Sequence, residues 1–404
     1  MHSKNQLKLR SKILEQIYVQ GPISRIDIAK NTSITPATTS SITADLIQEG
    51  YIREIGEEET SIIKAGRKKI LLRIEEDKAC LIGVELSEKY LSIVATDSKG
   101  NLLREQTATL SNKKIREEGS QLILDLLLPF IDSLPEKAKL TAIGMGLPGR
   151  YLNDFRITTD NPLWQHFNLK VVADALPYPI YFSNNVNCMS LAQRLFFNQG
   201  KDLNFVFFHF GRGMHCSYMY NGAIYGKHNS IIGEIGHTVV QPDGELCSCG
   251  KRGCLQTYAG ETWLIRKAQL LYQNADQSLL PNLVQDPEDI RLETLLTAYE
   301  LGDAATIHLL NTALKYLAQS ILNLNMLIDS QVIYLHSPLL LNEQLVNLLK
   351  HLIHLEPKVL ATQETPPVHI VPYSVLTGAR AATALALYKG LLENINCCYA
   401  KSSD

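Results

Sequence analysis

Residues 233–256 read Gly-Glu-Ile-Gly-His-Thr-Val-Val-Gln-Pro-Asp-Gly-Glu-Leu-Cys-Ser-Cys-Gly-Lys-Arg-Gly-Cys-Leu-Gln. Three thiols (Cys247, Cys249 and Cys254) lie within eight residues, and His237 precedes the first by ten. One imidazole and three thiolates are the four donors of a closed tetrahedral zinc site, and the interleaved glycines allow tight turns. The alternatives are unrelated buried thiols or a disulfide, for which Cys-x-Cys has poor geometry. The stretch therefore predicts structural Zn²⁺ bound by these four residues.

The same stretch resembles the signature of the ROK family of repressors, open reading frames and sugar kinases. The family pattern is Gly-Glu-x-Gly-His followed by Cys-x-Cys-Gly-x-x-Gly-Cys-x-Glu. This sequence matches it at every position but the last, where Gln256 replaces glutamate. The resemblance extends over about residues 78–390 and implies a two-lobed actin-like ATPase fold, as in ROK sugar kinases.

Strand and helix patterns alternate along the body of the chain, which predicts an α/β fold with a parallel-containing sheet. Apolar runs at 81–85 and 90–96 predict a hairpin, and further strands are expected at 140–145 and 180–182. We expect a DNA-binding head and two lobes: a winged helix-turn-helix over 1–75, a small α/β lobe over 76–195 and 376–404, and a large α/β lobe with the zinc motif over 196–375.

Charge is distributed unevenly along the 404 residues, although the net charge is only −2. Residues 1–75 hold 12 Lys/Arg against 9 Asp/Glu, a net +3, and the remainder holds 27 against 32, a net −5. This split is compatible with a DNA-reading module on a metabolite-binding body. The start of the chain lacks the apolar core of a signal peptide, and no apolar run is long enough to span a membrane. We therefore expect a cytoplasmic protein that does not bind membranes.

The first fifty residues carry the signals of three helices. The first helix ends at Gly21-Pro22, and Ser24 opens a second helix that continues to about Lys30. Thr35 caps a third helix, whose first residue is Pro36 and which ends at Gly50. Strands at 51–54 and 69–74, joined through a basic tip at 65–69, predict a wing.

In this arrangement the last helix enters the major groove of DNA. Small hydroxyl side chains at its start suit close approach to phosphates and base edges. We predict DNA contacts from Thr38, Ser40 and Ser41, and from Arg67 at the wing tip. The alternative is a small helical interaction domain with a solvated charge run. The head also resembles that of the xylose-repressor and N-acetylglucosamine-repressor branch of the ROK family, which its sugar kinases lack.

The resemblance implies four kinase features, and each is changed here. The phosphate loop Asp-x-Gly-Gly-Thr is replaced by residues 85–89, which contain no glycine, and the Gly-x-Gly-x-Gly loop keeps only its first glycine in 213–217. The catalytic Asn-Asp pair is Asn184-Asn185, and an amide cannot take the proton of an attacking hydroxyl. His336-Ser337 replaces a late Gly-Gly. These changes predict that the protein is not an enzyme.

The resemblance also implies a ring of sugar-binding residues. Amide, carboxylate and imidazole groups offer matched donors and acceptors for vicinal hydroxyls. Relative to the kinases, Asp→Asn and Glu→Gln remove two negative charges, which favours a phosphorylated or acidic saccharide. The alternative is a relic pocket whose polar groups satisfy one another. The predicted effector-binding residues are Asn184, Asn185, Glu234, His237 and Gln256.

The sequence thus predicts a sugar-responsive, zinc-containing transcriptional repressor of carbohydrate-metabolism genes. Its expected partners are operator DNA, a saccharide or sugar-phosphate effector, and further copies of itself in a homodimer or tetramer, because paired heads read two half-sites. Two alternatives remain: a ROK-type carbohydrate kinase with aberrant loops, and a repressor controlled by a protein partner. Phosphate transfer from ATP would identify the first, and ligand-independent release from DNA by a protein would identify the second.

Overall fold

The structure of the chain is a computed structural model. It describes residues 3–57, 69–135, 139–159, 161–164, 167–198, 200–226, 229, 231–274, 278–355 and 366–393. The chain forms two compact units, of which the first comprises Met1–Lys201 with Val375–Asp404 and the second comprises Asp202–Ser374.

The first unit begins with a helix-turn-helix and a small sheet. The Ser3 hydroxyl accepts the N–H of Gln6, whose side chain binds back in a capping box, and Thr35 accepts the N–H of Thr38. The three strands are antiparallel in the order β1-β3-β2, which completes the predicted winged helix-turn-helix. The elements are α1 (Lys4–Gln20), β1 (Ile23–Ser24), α2 (Arg25–Thr32), α3 (Pro36–Gln48), β2 (Ile52–Glu57) and β3 (Ile70–Ile74).

Helix α2 extends two residues beyond its predicted end near Lys30. The Thr32 hydroxyl donates to the carbonyl of Ile28 over 2.6 Å inside the last turn, and the left-handed backbone of Ser33 (φ 59°) then ends the helix. Thr39, Ile42 and Leu46 of α3 are buried, and Ser40 and Ser41 on the opposite face of this helix are exposed to solvent.

The rest of the first unit is built on a mixed sheet in the order β10-β7-β4-β5-β6. Strands β10, β7 and β4 are parallel, whereas β5 and β6 are antiparallel additions. All seven residues of β4 are buried, as expected for a central strand. The elements are β4 (Cys80–Leu86), β5 (Tyr90–Thr96), β6 (Leu102–Thr109), α4 (Asn112–Glu118), α5 (Gln121–Asp132), β7 (Leu140–Leu147), β8 (Arg150–Tyr151), β9 (Ile157–Thr158), α6 (Leu169–Asp174), β10 (Ile180–Asn184) and α7 (Asn185–Ala192).

The second unit has its own five-stranded sheet, in the order β13-β12-β11-β14-β15, with β11, β14 and β15 parallel. Its core lies between this sheet and a set of helices, of which the longest described one, α12, buries Leu310, Leu314, Leu317 and Ile321. The elements are β11 (Phe205–Phe210), β12 (Met214–Tyr220), β13 (Ala223–Ile224), α8 (Gln256–Ala259), α9 (Glu261–Asn274), α10 (Leu280–Leu283), α11 (Leu292–Glu300), α12 (Ala304–Leu327), β14 (Val332–His336), α13 (Glu343–Leu355) and β15 (Val368–Val371).

The chain then returns to the first unit as α14 (Thr377–Leu387). This helix packs on the sheet so closely that a Cβ on Gly83 or Gly144 would overlap the carbonyl oxygens of Ala379 or Ala382. The α/β fold with an N-terminal winged helix-turn-helix is therefore as predicted. No helix among the described residues is long and apolar enough to cross a bilayer.

Candidate functional site

The exposed face of α3 carries the hydroxyl side chains predicted to contact DNA. Ser40 and Ser41 are exposed, and Thr38 is half-buried, with its hydroxyl accepting a hydrogen bond from Thr35 over 2.9 Å. The helix thus has the surface that a groove-binding helix requires, and Arg67 of the predicted wing tip lies outside the described residues.

The predicted metal ligands converge in the second unit. One donor atom from each of His237, Cys247, Cys249 and Cys254 lies within 4.8 Å of the others. The sulfurs of Cys249 and Cys254 are 3.7 Å apart, and Nδ1 of His237 is 3.6 Å from the sulfur of Cys247. In a tetrahedral site with ordinary zinc bond lengths, two sulfurs lie about 3.8 Å apart and a sulfur and a nitrogen about 3.6 Å apart. The four residues therefore form a cluster that could hold a metal ion.

A short folded loop holds these four side chains in place. Val239 pairs with Cys254, Leu246 pairs with Arg252, and the N–H of Cys247 donates to the carbonyl of Lys251 over 2.8 Å. Gly253 has a positive φ of 69°, and a Cβ there would overlap the carbonyl oxygen of Gln241, so only glycine fits. The disulfide alternative does not hold for these cysteines, since 3.7 Å is well beyond a bonded S–S distance.

The thiols of the cluster differ in acidity. Burial raises the pKa of Cys247, but hydrogen bonds from the Cys249 backbone and from neighbouring side chains outweigh it and lower the pKa to about 6. Burial and the neighbouring sulfurs raise the pKa of Cys254 to about 12. The Cys247 thiolate thus forms readily, whereas a thiolate at Cys254 would need a nearby cation to stabilise it.

Two predicted effector residues adjoin this cluster. Gln256 donates from Nε2 to the sulfur of Cys247 over 3.2 Å and to the Ser248 hydroxyl over 3.3 Å. Glu234 immediately precedes the turn that carries His237, whose backbone N–H donates to the Glu234 carbonyl over 3.1 Å. Glu234, His237 and Gln256 are all half-buried, so each retains surface for a ligand.

His215 is a functional candidate that the sequence did not reveal. It lies on β12 with Nδ1 3.4 Å from Oε1 of Glu234, and its ring packs where a Cβ on Gly233 would be. From the sequence, His215 was only a bulky residue in place of a loop glycine. Its position opposite His209 in the β11–β12 register is seen only in the structure.

Asn184 and Asn185 lie in the first unit, at the junction of β10 and α7. The Asn184 side chain accepts the N–H of Val186 over 2.9 Å and so caps α7. Asn185 donates from Nδ2 to Oε1 of Glu85 over 3.4 Å. Glu85 is only 3% exposed, and burial raises the pKa of its carboxyl to about 7, although hydrogen bonds from Asn185 and the Gly378 backbone favour the charged form.

The segments that replace the kinase loops are packed into regular structure. Residues 214–217 form the buried first half of β12, and residues 87–89 form the tight β4–β5 turn, in which the Ser87 hydroxyl accepts the N–H of Tyr90 over 3.1 Å. His336 and Ser337 are each 1% exposed, and Nδ1 of His336 lies 2.9 Å from Nδ1 of His209. Burial lowers the pKa of both imidazoles, to about 4 for His209. These backbones are not arranged as open phosphate cradles.

Comparison with known proteins places these features in a family. Residues 81–390 match the sequence model of the ROK family, and residues 10–55 match that of the MarR family. A xylose repressor of Caldicellulosiruptor bescii is 28% identical over 63% of this chain and 64% of its own length, slightly under two thirds. The DNA-binding transcriptional dual regulator NagC of Escherichia coli is 27% identical over 74% of this chain and 73% of its own.

Among solved structures, a ROK family transcriptional regulator described as a homolog of the E. coli MLC protein superposes with a TM-score of 0.77. It is 22% identical, and the superposition covers 96% of this chain and 98% of that one, so head and body share its fold. The family model spans more than half of the sequence, and the resemblance predicted from the zinc-type motif is confirmed. The chain belongs to the ROK family.

Proposed function

We propose that this protein is a sugar-responsive transcriptional repressor. Its winged helix-turn-helix binds operator DNA, and its ROK body binds a saccharide or sugar phosphate without phosphorylating it. The observation that carries this proposal is the exposed Ser40–Ser41 face of α3, joined in one chain to a body of the ROK family. The similarity to proteins named as a xylose repressor and as the regulator NagC supports it.

The protein is proposed not to catalyse sugar phosphorylation, because it lacks the general base and the phosphate-binding loops that this reaction requires. Asn185 stands where the kinases have their general base, and an amide does not accept a proton at neutral pH. The buried strand at 214–217 and the tight turn at 87–89 leave the backbone N–H groups engaged in the fold rather than presented to a polyphosphate. Glu88 would add a negative charge there. The saccharide is therefore proposed to act as an effector.

The metal is proposed to be structural Zn²⁺, bound by His237, Cys247, Cys249 and Cys254. Three soft sulfurs and one imidazole at tetrahedral spacing fit zinc better than the oxygen-preferring cations. Four protein donors leave no open position, so the ion would fix the loop and supply no reaction step. By holding His237 in place, it would also position one proposed hydroxyl-binding group.

The proposed hydroxyl-binding residues are Asn184, Asn185, Glu234, His237 and Gln256, and the proposed DNA contacts are Thr38, Ser40, Ser41 and Arg67. Assembly into a homodimer or tetramer is part of the proposal, because one recognition helix reads too few bases for a specific site. Two-fold pairing would supply the second half-site.

The test is a DNA-binding titration with operator fragments selected by the protein from a random DNA library. Xylose, glucose, N-acetylglucosamine and the phosphates of these sugars are then added in turn. One of them should change operator affinity about 5- to 150-fold, the usual range of allosteric coupling. Glu234→Ala should abolish this response while leaving operator affinity unchanged, and Glu293→Ala, an exposed glutamate on α11, serves as control.

Three results would contradict the proposal. ATP-dependent turnover of any of these sugars above the blank would favour the kinase alternative. Absence of sugar binding across the whole panel would favour control by a protein partner. Normal operator binding by the body without residues 1–75 would remove the DNA-binding role from the head.

A further inference from the structure

Two helices of the first unit start at the same small polar cluster. Helix α7 starts at Asn185, whose side chain donates to Glu85. Helix α14 starts beside the same carboxyl group, since a Cβ on Gly378 would overlap it. The two helices pack against each other along their length. A displacement of Asn185 would therefore move both α7 and α14, because close-packed helices shift as rigid units rather than deform.

The other ends of these helices also share a feature. Helix α7 continues without a break into a π-helical turn at Gln193–Phe197, and α14 continues into a second π-helical turn at Tyr388–Glu393. The guanidinium group of Arg194 in the first turn lies 6.0 Å from the ring centre of Tyr388 in the second.

Helix α1 of the DNA-binding head packs against both π-helical turns. Arg194 forms an ion pair with Glu15 of α1, and the side chains of Arg194 and Glu15 are only 8% and 23% exposed. Val19 of α1 lies against Gly200, where a Cβ would overlap its side chain. The head is thus joined to the end of α7 by a largely buried ion pair.

We propose that Arg194 is the residue that couples the Asn184–Asn185 end of α7 to the DNA-binding head, through its ion pair with Glu15. The inference rests on the proposed function, since it assigns the route by which an effector would change DNA binding. Arg194 lies nine residues after Asn185, so α7 and its turn form a rod of about 13 Å between the two points. A largely buried charge pair suits this role. If one partner moved away, the other would be left as an unpaired charge in a poorly solvated place, which is strongly destabilising.

The experiment measures, in the full-length protein, how strongly operator DNA changes the affinity for sugar. This effect equals the effect of sugar on the affinity for DNA. The affinity for each sugar of the panel is measured with and without operator DNA, and the ratio of the two dissociation constants is the coupling. The variants are Glu15→Gln and Arg194→Gln, which break the pair from either side, and Arg194→Lys, which keeps the charge. Glu118→Gln is the control, because Glu118 forms an exposed pair with Lys114 on α4 of the same unit.

We expect a ratio of at least 5 in the wild type and in Glu118→Gln, and a ratio near 1 in Glu15→Gln and Arg194→Gln. Arg194→Lys should keep most of the coupling. The folded variants should still bind sugar in the absence of DNA. A ratio near 1 in these variants would then show that coupling is lost while the sugar site is intact. Wild-type coupling that survives in Glu15→Gln would overturn this inference and leave the proposed function intact. A wild-type ratio of 1 would instead overturn both.

Discussion

Gln256, two residues after Cys254, donates a hydrogen bond from Nε2 to the sulfur of Cys247 over 3.2 Å. The family pattern has glutamate at this position, and a carboxylate has no N–H to donate. An N–H donor stabilises the thiolate form of Cys247, whereas a carboxylate beside the sulfur would repel it. The Glu→Gln change thus affects the cluster as well as the charge of the proposed effector site.

The first prediction concerns this contact. Gln256→Glu should weaken metal retention about 10- to 100-fold, the usual effect of removing an outer partner of a metal ligand. The measurement is the zinc remaining on the protein during titration with a chelator of known affinity. Gln241→Glu, an exposed change on the same loop, is the control. Equal retention by the variant and the wild type would show that this contact has no influence on the metal.

Cys249→Ser tests the metal centre itself. Cys249 is the exposed member of the cluster, so its replacement would remove a proposed donor without opening a cavity in the core. Elemental analysis should find about one zinc per wild-type chain and well under one in the variant, because three donors do not close a structural site. Asp243→Asn, on the same loop, should keep its zinc. A metal-free wild type with full stability and DNA binding would contradict the zinc assignment.

Glu85→Gln should change how stability depends on pH. Burial raises the pKa of Glu85 from the ordinary 4.5 to about 7 in the folded protein. The neutral carboxyl therefore makes its full contribution to the free energy of unfolding below pH 4.5, and this contribution is lost as the pH rises to about 7. The variant lacks this loss, so its free energy of unfolding relative to wild type should rise by about 3 kcal/mol between pH 4.5 and 8.

Urea unfolding at several pH values measures this difference. Glu105→Gln, at an exposed position on β6, is the control and should run parallel to the wild type. If Glu85→Gln also ran parallel, the carboxyl would ionise in the folded protein as easily as in water.

Ser40→Glu and Ser41→Glu test the DNA-contacting face. Both side chains are exposed, so the free energy of unfolding should stay within about 0.5 kcal/mol of wild type. A carboxylate facing the phosphates should lower operator affinity at least tenfold, about 1.4 kcal/mol. Gln48→Glu, at the far end of the same helix, should have a smaller effect. Unchanged affinity in both serine variants would place the DNA on another surface of the head.

The head and the metal cluster were predictable from the sequence because their signals are local. Thr35 and Pro36 fix the start of α3, and the spacing of Ile42 and Leu46 fixes its buried face. Three cysteines within eight residues are close enough in the chain for a short loop to bring their thiols together. Interactions between residues that are close in the chain depend on backbone preferences and short loops, and both can be predicted from the local sequence.

The tertiary structure alone decided which distant residues meet. Glu85 and Asn185 are 100 residues apart in the sequence, and Arg194 and Glu15 are nearly twice as far apart, yet each pair is in contact. His215 faces Glu234 only because β12 and the turn before His237 pack together. Such pairs have no spacing rule, because the packing of sheets and helices, rather than the local chain, sets their distance. The family, the head and the four residues that could hold a metal were therefore predictable from the sequence, whereas packing decides which buried charged groups meet.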